Sequence, residues 1–387
     1  MVFWKRRRWL TIITRVIALF AAGVAVLIAA LWIEHRFETV LPPPPGPYAV
    51  GRVHLVWSEP PPAPNEQQLI AWIWYPSTGH SEPGKTRLFL PTELSAAVMR
   101  NQGWLINLVT RDVSKVRVHS VDGAPLAPTP RSFPVLLMRG GASAPIWNYT
   151  TLAENLASYG YVVVGFDIPY RTKTVVMANG AVATRPPEND PELAAERHDD
   201  ATIQRLIDAW TRDLSRATDH LTRLNVSDPT GLFTGRLDLG RVGVFGHSFG
   251  GTAAAQFCVN DPRCRAGVDI DGGMFGSAAN AAISRPFMFL LGDHHREDGP
   301  QSTAIMHDIQ AVYGRLPAAT RKLVTIPGAN HFFFSDDGAR LKSHLVIGVL
   351  RRLGMVEIDG PRQLALTAGN LRSFFDDALP SSAPPSP

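Results

Sequence analysis

The sequence predicts an α/β domain on a mostly parallel central sheet, helices on both faces, preceded by an apolar N-terminal helix. Three observations carry this. Short apolar runs, nearly free of polar residues, alternate with longer helical stretches, as expected of strands covered on both faces. A glycine-flanked serine stands where one such run gives way to small, helix-compatible residues in "RVGVFGHSFGGTAAAQF". Near the N-terminus, Val16 to Ile33 carries neither charge nor proline.

As a helix, that N-terminal run covers roughly 27 Å, close to the ~30 Å hydrocarbon core of a bilayer. Lys5, Arg6, Arg7 and Arg8 precede it and Glu34-His35 follow. This charge order predicts a cytoplasmic N-terminus and a membrane anchor, with everything downstream periplasmic or extracellular. A cleaved signal peptide, giving a secreted protein, is the rival. Ala29-Ala30 followed by Leu31-Trp32 makes a poor cleavage site. The formal net charge of +4 equals the surplus of those four basic residues. The rest of the chain is balanced, which gives no reason to expect a nucleic-acid partner.

Residues 1–40 are thus the basic start and the anchor or signal. Residues 41–47, "LPPPPGP", form a stiff extended spacer. The folded domain is expected over 48–375, and 376–387 is a polar, proline-rich tail expected to be disordered. "GRVHLVWS" and "QLIAWIWYPS" read as an opening strand pair. "FPVLLMRGG", "YVVVGFDI", "RVGVFGHS", "AGVDIDGG", "PFMFLLGD" and "KLVTIPGANH" read as the strands that follow. Helices are expected over Asn148–Tyr159, Ala201–Leu224, Phe249–Asn260 and Thr303–Tyr313. Arg171–Asp200, rich in prolines and acids, reads as a surface insertion or a flap over the site. Cys258 and Cys264 stand six apart across an Asp-Pro turn, and whether they pair is left open.

In such sheets ligands bind at the carboxyl ends of the strands. There Gly246-His247-Ser248-Phe249-Gly250 fits a G-x-S-x-G turn, which lifts a serine Oγ into the open, with Gly246 and Gly250 leaving room beside it. A serine hydroxyl needs a histidine to take its proton, and the histidine needs a carboxylate to fix its tautomer. His331, in the loop after the last predicted strand, is the candidate base. His247 reads as packing support, and His294-His295 lack metal-ligand spacing. Asp269, Asp271 and Asp293 all stand as candidate acids, and spacing does not choose among them. The backbone N–H of Phe249 and one from Gly140-Gly141 are the expected donors to a developing oxyanion. Neither a metal nor an organic cofactor is required.

"WYPS" followed by "LFLP", "LLMRGG", "YGYVVV", "GHSFGG", "CRAGVDIDGGMF" and "NHFFFSD" together resemble the platelet-activating factor acetylhydrolase family of the α/β-hydrolase superfamily. The likeness runs from about Gln68 to Val346. It implies an α/β-hydrolase fold, Asp271 as the acid ahead of Met274-Phe275, His331 as the base, and Phe249 and Gly141 as oxyanion donors. It also implies a serine esterase acting on short-chain acyl esters or platelet-activating-factor-like phospholipids. Hydrolysis of polyester or peptide acyl groups by the same triad is the alternative. A catalytically silent envelope module is a third reading. Arg139 stands where the family's usual histidine would be, and Gly141 and Gly272-Gly273 replace bulkier residues. These departures predict a wider pocket.

Overall fold

The structure, a computed structural model, describes residues 2–58, 68–78, 87–177, 180–280, 282–293, 300–341, 344–354 and 356–380. His294-His295, residues 59–67 that join the first strand pair, and 381–387 of the expected tail lie outside the described residues.

Nine strands form one sheet: β1 (Ala49–Trp57), β2 (Leu69–Ser77), β3 (Val121–Asp122), β4 (Phe133–Arg139), β5 (Val162–Asp167), β6 (Leu237–His247), β7 (Cys264–Ile270), β8 (Phe287–Leu291) and β9 (Arg321–Thr325). Their spatial order is β9-β8-β7-β6-β4-β5-β2-β1-β3. The sheet is parallel from β9 through β5, and β2 is antiparallel to both of its neighbours, β5 and β1. The opening pair is therefore a β1–β2 ladder, with Val53 opposite Ile73.

Helices cover both faces. The long apolar N-terminal helix α1 (Val2–Glu34) lies outside these layers. α3 (Asp200–Val226), α4 (Phe249–Asn260) and α5 (Pro300–Arg315) pack on one face, and α2 (Thr150–Ser158) and α6 (Gly360–Ala378) on the other. Alternation along β4 distributes the core. Val135 and Leu137 face Trp210 and Leu214 of α3, while Leu136 and Met138 face the layer holding Leu152 and Phe375. α3 begins where Asp199 accepts the Thr202 N–H at 3.0 Å. It buries Ile203, Leu206, Ile207, Trp210, Leu214, Ala217 and Leu221, a single stripe at helical spacing.

α6 runs to Ala378 and Leu379 is buried, so the folded unit continues past the expected boundary at 375. Its apolar face, Leu364, Ala368, Leu371, Phe374 and Phe375, accounts for the extension. Cys258 and Cys264 form a disulfide with Cα atoms 5.0 Å apart, tying the end of α4 to the start of β7.

The Thr11–Glu34 portion of α1 is long and apolar enough to cross a membrane. Leu19 and Phe20 are about three-quarters exposed. Among the described residues, its end meets the domain through Leu31, a Glu34–Arg111 ion pair at 2.7 Å and His35 Nδ1 3.0 Å from the Thr110 carbonyl.

Candidate active site

Register places the site. Gly246 on β6 is level with Arg139 on β4 and Asp269 on β7, and His247 with Ile270. Gly140-Gly141, Ser248 and Asp271 therefore leave the sheet side by side at its carboxyl edge. Ser248 sits between β6 and α4 with φ 56° and ψ −127°, a conformation that costs a β-carbon residue roughly 1–3 kcal/mol. Two backbone bonds hold it: Ser248 N–H donates to Ile270 O at 2.9 Å, and Gly251 N–H to Ser248 O at 2.8 Å. A Cβ on Gly246 would overlap the Gly250 carbonyl, and one on Gly250 would come within 2.5 Å of the Gly140 carbonyl. Both elbow glycines are steric requirements of the turn.

Asp271 also has positive φ, 52°. Its N–H donates to Leu290 O at 2.9 Å. Its Oδ1 accepts the Gly292 N–H at 2.6 Å, and its Oδ2 lies 2.7 Å from His331 Nδ1. The carboxylate is fully buried and the imidazole about a third exposed. With its Nδ1 proton donated to Asp271, His331 keeps Nε2 as a proton acceptor.

Of the three candidate acids, Asp271 is the one hydrogen-bonded to His331. Asp293 Oδ2 accepts the Gly328 N–H at 3.0 Å and so braces the loop leading to His331. Asp269 is buried beneath the elbow and accepts the Gly272 N–H at 3.0 Å. Burial, with the Asp271 charge beside it, pushes its carboxyl well above the usual range.

Two supports of the His331 loop were not foreseen from sequence. Gln363 of α6 exchanges hydrogen bonds with the backbone of Asn330, at 2.9 and 2.8 Å. Asp336, buried, donates its N–H to Asn148 O at 2.6 Å and accepts the Thr151 N–H. Both are polar residues inside a fold, and no local pattern announces such partners.

On the other side of the serine, Gly141 N–H donates to Tyr149 Oη at 2.9 Å, and the same Oη lies 2.8 Å from His247 Nδ1. Tyr149 and His247 are both buried. Burial lowers His247 to about 3, leaving it neutral, and raises the Tyr149 phenol. The His247 ring lies 4.6 Å from the ring of His331, so its packing role extends to the candidate base.

Arg139 fills the space between β5 and α3, its guanidinium 4.8 Å from the Phe166 ring and 4.1 Å from Trp210. Trp210 in turn packs edge-on against Phe249 at 5.0 Å. The Arg171–Asp200 segment folds as a short hairpin, Thr174–Val176 with Val182–Thr184, and a helical turn. It leans on the glycine loop: Arg185 donates to Ala142 O, and Ser143 Oγ to Glu192 at 2.8 Å.

The expected widening at the glycines is not found. A Cβ on Gly272 would meet the Asp269 carboxylate and the Ser248 carbonyl, and one on Gly273 would lie 2.5 Å from the Phe275 ring. Phe275 fills the volume a larger side chain would take. At Gly141 a Cβ would lie 3.2 to 3.4 Å from His247, Ser248 and Tyr149, which leaves no open space there either.

The sequence profile of the family described as platelet-activating factor acetylhydrolase, isoform II, matches residues 34–179 and 212–368. A probable 1-alkyl-2-acetylglycerophosphocholine esterase of Arthroderma benhamiae is 28% identical over 229 residues, 58% of this chain and 54% of that protein. The match thus spans about half the length of that relative. The platelet-activating factor acetylhydrolase of Cavia porcellus is 24% identical over 77% of this chain and 69% of its own. Among solved structures, a ferulic acid esterase from Streptomyces cinnamoneus superposes with a TM-score of 0.68, at 24% identity, over 90% of this chain and 96% of that one. That likeness speaks for the fold. With the family profile matched on both sides of residues 180–211 and through the elbow, the Asp271 loop and His331, the chain belongs to the platelet-activating factor acetylhydrolase, isoform II, family.

Proposed function

We propose that the protein is a serine esterase that removes short acyl groups from esters, phospholipids of the 1-alkyl-2-acetylglycerophosphocholine type among them. The hydrogen bond from His331 to Asp271, beside the strained Ser248 turn, carries the reading. Ser248 Oγ attacks the ester carbonyl while His331 Nε2 takes its proton. Asp271 orients the ring and stabilises the imidazolium. The N–H groups of Phe249 and Gly141 receive the negative charge on the carbonyl oxygen. The tetrahedral adduct collapses, the alcohol leaves with the proton from His331, and an acyl-Ser248 ester remains. Water, deprotonated by His331, then releases the acid and regenerates the serine.

In this reading α1 anchors the enzyme, with the domain outside the cytoplasm and close to lipid esters. Exposed apolar side chains along α1 and the contacts its end makes with the domain support it. Alkali-resistant membrane association, lost on removal of residues 2–40, would be the expected behaviour. A freely soluble full chain would instead favour a secreted protein.

The deciding experiment is hydrolysis of p-nitrophenyl acetate, butyrate, octanoate and palmitate by the full chain in detergent, with Ser248→Ala beside it. Rates that fall with chain length and vanish in the variant are expected. Equal background rates in both proteins would sink the proposal.

A further inference from the structure

Gly141 N–H, the expected second oxyanion donor, is engaged in the structure. Its partner is Tyr149 Oη at 2.9 Å, which also lies 2.8 Å from His247 Nδ1. An idealised Cβ on Gly141 lies 3.4 Å from both Tyr149 Oη and Ser248 Cβ, so the loop backbone sits between the tyrosine and the nucleophile. The Tyr149 oxygen accepts one proton and has one to give, and the neutral Nδ1 of His247 is positioned to receive it. His247 then lies 4.6 Å, ring to ring, from His331. Gly141, Tyr149, His247 and His331 form one continuous contact chain around the serine, from donor loop to base.

We propose that Tyr149 is a positioning residue of the reaction: its hydroxyl holds the Gly141 amide beside Ser248 in the resting enzyme and yields it to the oxyanion as the tetrahedral adduct forms. The proposal rests on the esterase reading above. No proton leaves the tyrosine, which stays bonded to His247 while one accepted hydrogen bond is exchanged. A loop pinned in advance does not have to be ordered when charge develops, which is where a preorganised donor gains its effect. Removing the hydroxyl leaves the Gly141 N–H and His247 Nδ1 buried without that partner. In the transition state the amide is bonded to the oxyanion, so the cost there comes from the loop, which must now be ordered as charge develops, and from the His247 Nδ1 left unpartnered behind it.

The test is Tyr149→Phe in the full chain, read by steady-state kinetics and by affinity for an alkyl trifluoromethyl ketone, whose serine adduct carries an oxyanion. The expected result is a kcat lower by about tenfold or more, with KM within about twofold. Ketone affinity should fall by a similar factor. His247→Leu, which removes the acceptor of the tyrosine proton, should lower both quantities too, and His247→Asn, whose Oδ1 can replace Nδ1, should recover part of the loss. Unchanged kcat and ketone affinity in Tyr149→Phe would overturn the proposal. So would a rise in both, because the hydroxyl would then be a competitor for the amide. Fluorophosphonate labelling of wild type at Ser248 separates the two readings. A labelled wild type with an unaffected Tyr149→Phe defeats the positioning role alone, and an unlabelled wild type defeats the esterase reading and this proposal with it.

Discussion

Asp271 Oδ2 lies 2.7 Å from His331 Nδ1 while the other carboxylate oxygen takes the Gly292 N–H at 2.6 Å, so both oxygens of one buried group are committed. Replacing Asp271 with Asn would present an amide to His331 and favour the wrong ring tautomer. By analogy with the serine-protease triad, kcat should drop on the order of 10⁴-fold with little change in KM. Asp293→Asn, which touches the Gly328 backbone, should cost about tenfold or less. Ester kinetics on the two variants check this, and the reverse ranking would move the acid to Asp293.

Asp269 and Gly251 are matched by size. A Cβ on Gly251 would overlap the Asp269 carboxylate, whose Oδ1 is already bonded to Gly272. Gly251→Ala should therefore destabilise by about 3 kcal/mol through overpacking. Adding Asp269→Ala should recover part of that loss, since the volume in conflict is removed. Denaturant midpoints of the two single variants and the double variant give the coupling directly, and strict additivity would refute the steric account.

Much of this arrangement is legible in the sequence. The helix expected over Phe249–Asn260 has those limits in the structure, because the elbow glycines fix its start and Asp261-Pro262 its end. The parallel strands were legible because they are apolar on both faces. β6 nevertheless starts at Leu237, earlier than "RVGVF" suggests, because its first residues pair with β4 across an irregular register. The His331 partner was not legible from spacing, since three aspartates share the strand ends and only the turn at Asp271 aims one of them. The role of Tyr149 is not legible for a related reason. Its hydroxyl meets His247, 98 residues away, through a fold contact that no local pattern encodes.

The Cys258–Cys264 bridge closes a short loop between α4 and β7. A loop of this length corresponds to about 2 kcal/mol of unfolded-state entropy. The Cys258→Ser, Cys264→Ser double variant should lose about that much stability. On the proposed esterase reading it should keep its rate of ester hydrolysis, because the bridge joins the end of α4 remote from Ser248. Chemical denaturation with and without reductant checks the first point and ester kinetics the second. An activity loss without a stability loss would contradict the account.

Asp336 is expected to make the fold sensitive to pH independently of the Asp271–His331 pair. Burial raises its carboxyl to about 7, with Glu154 pushing further up and the Thr151 hydrogen bonds and Arg340 pulling down. In the unfolded chain the group titrates near 3.8. Between these values the native state holds a proton that the unfolded state has released, so stability declines as pH rises from about 4 through about 7 and levels off above. Asp336→Asn keeps an acceptor for the Thr151 N–H and cannot ionise. Its Tm should fall less steeply than that of wild type across this window. Asp167, raised to about 7 mainly by its own burial, remains in the variant and should preserve part of the slope. Calorimetric Tm values at several pH points decide the matter, and parallel profiles for the two proteins would show that Asp336 is not the group responsible.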